Sequence, residues 1–138
     1  MPVQYSLDKD RHLVVGRASG HLSPRELIDG FSEIVRATDG AAVNMDHLFV
    51  SAPNTLLYEM DAAGMAAMRN ELEALHRQYP GRIMRTAIVV SGSDPENAIA
   101  KLWQAIADSH PAMATKVKLF RTEPQALAWL AEKSEQTL

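Results

Sequence analysis

The sequence predicts a single α/β domain: a mixed five-stranded sheet with about four helices, in the order β-β-α-β-α-β-α-β-α. Three observations carry this. Short apolar, β-branched runs alternate with segments of helical spacing between residues 84 and 130. Such runs suit strands covered on both faces, and their alternation with helices implies parallel pairs joined by right-handed crossovers. At the N-terminal end, two strand-like runs are separated by only a short polar turn, which implies an antiparallel hairpin. Finally, residues suited to helix caps stand where the helical spacing begins, at Ser23, Asp94 and Thr122.

In chain order, Val3, Tyr5 and Leu7 alternate with Gln4, Ser6 and Asp8, the period of a half-buried strand. Asp8-Lys9-Asp10-Arg11 is the turn, and Leu13 to Gly20 the second strand, within which Gly16 marks a bulge or a close backbone approach. Ser23-Pro24-Arg25-Glu26 has the pattern of a capping box with proline at the first helical position. Leu27, Ile28, Phe31, Ile34 and Val35 form the buried stripe of that helix; Arg25, Asp29, Glu33 and Arg36 face water, and Gly40 stops it. His47 to Ser51 is a third strand. Pro53-Asn54 interrupts it, and Thr55 to Met60 is extended, as an edge strand or an ordered loop. From Asp61 the spacing of Met65, Met68, Leu72, Leu75 and Tyr79 is helical until Pro80-Gly81.

Thr86 to Val90 is the fourth strand, broken by Ser91-Gly92-Ser93. Asp94 caps a helix with Pro95 at its first position and an apolar face of Ile99, Leu102, Trp103 and Ile106, ending before Pro111. Val117, Leu119 and Phe120 mark the fifth strand. Thr122 with Gln125 opens a last helix of about 10 residues carrying Leu127, Trp129 and Leu130, with Trp129 expected to be substantially buried. Residues 1–133 are assigned to the domain and 134–138 to a polar tail.

The chain has 138 residues, 46% of them hydrophobic, a net charge of −3 and a pI near 5.9. An acidic balance argues against a general nucleic-acid binder. Cysteine is absent, which excludes disulfides, thiolate metal sites and a cysteine nucleophile, and fits the cytoplasm. No apolar run approaches the roughly 18 residues of a membrane span, and the N-terminus has no signal-peptide pattern.

Three segments carry a family resemblance. They are Leu13-Val14-Val15-Gly16-Arg17-Ala18-Ser19-Gly20, Ser23-Pro24-Arg25-Glu26-Leu27, and the ending Phe120-Arg121-Thr122-Glu123-Pro124-Gln125-Ala126-Leu127-Ala128-Trp129-Leu130. Together with the element order they resemble the SpoIIAA-like, or STAS-like, bacterial proteins. In the branch that antagonises anti-sigma factors, the second helix opens with Asp-Ser-Ser-Gly-Leu, whose second serine is phosphorylated. The similar stretch here is Asp61-Ala62-Ala63-Gly64-Met65, with Ala63 in place of that serine. The resemblance thus implies a STAS-like domain without the kinase switch. The group also resembles CRAL-TRIO lipid-binding domains in fold, which brings in a small apolar ligand by analogy.

The five histidines show no HExxH or other ligand spacing, and Asp46 and His47, adjacent on a strand, face opposite ways. No phosphate loop, nucleophile elbow or carboxylate pair is visible, so no catalytic residue, metal or cofactor is assigned. The most unusual local feature is Met60, Met65 and Met68 beside four alanines, read as core packing or as an adaptable apolar wall. With the family topology, Asp61, Gly64, Met65, Met68, Ser91 and Ser93 would border one patch beside strand C-terminal ends. The expected function is a non-enzymatic cytoplasmic interaction domain, acting on a protein partner or as a homodimer. The alternative is a carrier of a small apolar or lipid-like ligand in a pocket against the second and third helices.

Overall fold

The computed structural model describes residues 3–53, 55–57, 61–90 and 94–132. Seven strands and four helices follow one another as β1 (Val3–Asp8), β2 (Leu13–Ala18), β3 (His21–Leu22), α1 (Pro24–Ala37), β4 (Asp46–Ser51), β5 (Leu56–Leu57), α2 (Ala62–Gln78), β6 (Met84–Val89), α3 (Asp94–Ser109), β7 (Thr115–Phe120) and α4 (Glu123–Ala131). Short 3₁₀ turns at Ala41–Asn44 and Pro111–Met113 lead into β4 and β7. The main sheet has five strands in the order β1-β2-β4-β6-β7. β1 and β2 are antiparallel and every other neighbouring pair is parallel, so the predicted mixed sheet and fold class are observed.

From β2 onward the sheet grows in one direction. Right-handed crossovers that step the same way lay their helices on the same face. α1, α2 and α3 accordingly share one face, where Phe31, Val35, Leu72, Leu75, Trp103 and Ile106 meet Val14, Met84, Ile88 and Val117. α4 alone covers the other face, through Ala126 and Leu130 against Leu13, Leu48, Ala87 and Val89.

The caps form where the sequence places them. Ser23 accepts from the Glu26 N–H while the Glu26 carboxylate accepts from the Ser23 N–H. Thr122 accepts from the Gln125 N–H at 3.3 Å. α1 ends in a Schellman motif: the Gly40 N–H donates to the Val35 carbonyl and the Asp39 N–H to that of Arg36. Asp39 and Gly40 are both left-handed, with φ of 50° and 87°. Gly16 is not a bulge, because the β1–β2 register runs through Tyr5↔Gly16 unbroken. It is a close approach: a Cβ there would lie 2.8 Å from the Tyr5 ring, and one at Gly30 of α1 equally close. The two glycines form a slot for that ring, whose hydroxyl donates to the Leu27 carbonyl.

Four expectations need correction. The second strand stops at Ala18, and His21-Leu22 pairs instead with Leu56-Leu57 in a separate two-stranded parallel sheet. Residues 56–57 are thus a strand, but not an edge of the main sheet. Leu102 is 46% exposed; the buried stripe of α3 uses Ala100 and Ala107 beside Trp103 and Ile106. Trp129 is only half-buried. It leans on Phe120, with ring centroids 5.7 Å apart, and the Arg85 guanidinium stacks on it while donating to the carbonyls of Trp129 and Glu132. It caps the packing of α4, whose inward positions are the small Ala126 and Leu130. α3 already includes Asp94, the residue expected to cap it, and Ser91 to Ser93, the proposed tail and residues 58–60 lie outside the described residues.

Candidate functional site

The face shared by three helices lines a partly open cavity of about 170 Å³. Its floor is two rows of the sheet in register. One is Val14, His47, Thr86 and Val117; the next is Gly16, Phe49, Ile88 and Leu119. Val14, Gly16, His47, Phe49, Thr86 and Ile88 line the cavity, as do Met84 and Thr115, paired one step nearer the strand starts. α1 contributes Leu27, Ile28 and Phe31; α2 contributes Met65, Met68, Leu72 and His76; α3 contributes Ile99, Ala100 and Trp103, followed by Met113.

The lining is polarised along the strands. α2 and α3 run back antiparallel to the strands that precede them, so their first turns lie over strand C-terminal ends. Met65, Met68, Ile99 and Ala100 therefore gather near Ser51 and Val90, at that end. His76, from the last turn of α2, lines the same cavity and lies near enough to His47 to act on it electrostatically. The Thr86 and Thr115 hydroxyls bond each other at 2.8 Å. His47 sets its ring edge-on to Phe31, with centroids 4.8 Å apart, and its Nε2 lies 3.5 Å from the Ala42 carbonyl. Burial pushes its pKa down to about 4, against a smaller opposing effect of that carbonyl contact. Burial also lowers the pKa of His76. At neutral pH both rings are uncharged.

Asp46 faces the other way, as the strand period requires. It accepts from the Arg85 N–H at 2.9 Å and pairs with Arg82 at 3.1 Å, a structural role at the start of β4.

The residues singled out in the sequence separate. Met65 and Met68 are buried in the cavity wall. Asp61 is exposed and caps α2, its carboxylate accepting from the Gly64 N–H at 2.8 Å. Ser91 and Ser93 lie outside the described residues. Sequence reasoning missed Thr86, Thr115 and His76, and left His47 a structural role. The available signal was polar side chains at inward positions of strands that are otherwise apolar on that face.

No family model, curated protein or solved structure matches this chain. Among the described residues no helix is long and apolar enough to cross a membrane, and no group of three metal-ligating side chains occurs.

Proposed function

We propose that this protein is a carrier or binding domain for a small apolar ligand held in the cavity between the sheet and α1–α3. The observation that supports this is the cavity itself. Native interiors contain few spaces larger than a water molecule. An apolar guest in this space of about 170 Å³ gains contacts that its wall otherwise lacks. Methionine, unbranched and polarisable, suits a wall that adapts to a guest, and Met65, Met68, Met84 and Met113 all stand in this one.

The interaction-domain reading draws less support. Among the described residues the exposed large hydrophobics are Ile83, in the loop before β6, and Leu102, on α3, and single exposed apolar residues are ordinary. The STAS-like assignment remains part of the proposal, supported by the observed element order. So does a cytoplasmic setting, for which the cysteine-free sequence speaks.

The test is thermal unfolding with toluene. Wild-type protein is expected to melt at rising temperature as toluene increases, since a ligand of the folded state stabilises it by mass action. Ala100→Leu places three more carbons in the cavity. It is expected to gain about 0.5–2 kcal/mol without ligand and to lose most of the toluene response. No response in wild type, or an equal response in Ala100→Leu, contradicts the proposal.

A further inference from the structure

We infer that the ligand is a small uncharged amphiphile with a hydroxyl head, such as a single-ring phenol or a short aliphatic alcohol. Its head would sit among Thr86, Thr115, His47 and His76, and its apolar body would point toward Met65 and Met68. This rests on the carrier reading and adds the chemistry and orientation of the guest.

The hydrogen-bond inventory at the polar end calls for a hydroxyl. Two threonine hydroxyls hold two hydrogens, and the Thr86–Thr115 bond uses one, leaving a donor. A carbonyl only accepts, so the His47 nitrogen facing Ala42 carries the hydrogen, and Nδ1 is left as an acceptor. A group that both donates and accepts at one atom satisfies both. A pure hydrocarbon leaves them unpaired, which costs affinity. A carboxylate brings a full charge into a wall whose lining, among the described residues, includes no lysine or arginine, and whose two histidines are neutral at pH 7. Volume sets the size. A protein cavity of about 150 Å³ accepts benzene, so 170 Å³ suits a single ring or a short chain.

The experiment is calorimetric titration at pH 7 with phenol, toluene and benzoate, three probes built on one ring. In Thr86→Val/Thr115→Val, phenol affinity is expected to fall roughly threefold to tenfold, the loss of one or two neutral hydrogen bonds, while toluene affinity holds or rises. Thr86→Ser, which keeps the hydroxyl, is expected to retain phenol binding. Benzoate is expected to bind wild type more weakly than phenol. If toluene binds but the phenol-to-toluene ratio is the same in the double variant, or benzoate outbinds phenol, the hydroxyl assignment is overturned and the carrier reading stands. If none of the probes binds, both fall. Should the double variant fail to fold, Thr115→Val alone and the wild-type order of phenol and benzoate decide the question.

Discussion

Gly40→Val is expected to cost about 2–5 kcal/mol in urea unfolding, a large loss for one residue. Two independent penalties add. Gly40 sits at φ 87°, where a β-branched residue is strained by about 1–2 kcal/mol. A Cβ there would also lie 2.1 Å from the Tyr79 ring, so the ring must leave its place against the core cluster. Overpacking of this kind typically costs another 1–3 kcal/mol. Tyr79 follows α2 and Gly40 follows α1, so this contact fixes the ends of two helices that wall the cavity. The two penalties are separable. In a Tyr79→Ala background the same substitution should cost only the backbone share, roughly 1–2 kcal/mol, a coupling that a double-mutant cycle reads directly. A loss below about 1 kcal/mol in the wild-type background would mean that the α1 exit relaxes freely.

Acidification should unmask His47. Its pKa is about 4 in the folded protein and 6.5 in an unfolded chain, so protons bind the unfolded state preferentially. The stabilising contribution is full above pH 6.5 and is lost as the pH falls through 4. A difference of 2.5 units amounts to about 3 kcal/mol, of which roughly 2 should be gone by pH 4.5. His76, shifted the same way, adds to the loss. Urea unfolding at pH 7 and 4.5, for wild type and His47→Gln, isolates the term. The variant should lose about 2 kcal/mol less than wild type over that interval, because glutamine does not titrate. Equal losses would place His47 in contact with bulk water rather than in the cavity wall.

What the sequence disclosed were features whose physics is local. Ser23 with Glu26, and Thr122 with Gln125, lie three residues apart and make their bonds within one turn. The alternation of β1 and the apolar runs of β4, β6 and β7 are likewise readable over a few residues. The β3–β5 pair was not readable, because two residues pairing with two others about 35 positions away leave no periodic trace. Helical spacing admits Leu102 to the inward face, but the buried positions of α3 include the small residues Ala100 and Ala107. For Trp129, hydrophobic bulk does not mean depth, because Arg85 and Phe120 give the ring a half-exposed seat. Of the candidate site, the methionine cluster pointed to Met65 and Met68. The cavity itself is a balance of volumes across six strands and three helices, set partly by residues as small as Gly16 and Ala100, and no local window contains it.

The most direct measurement is a toluene titration of protein carrying ¹³C-labelled methionine methyl groups. Met65, Met68, Met84 and Met113 line the cavity, whereas Met45 is equally buried in the neighbouring core and does not. Ring currents from a bound guest should shift the first four methyl signals, saturably and with one affinity, and leave Met45 in place. Unmoved signals at all four positions, or shifts that appear equally at Met45, would contradict a ligand seated in this cavity.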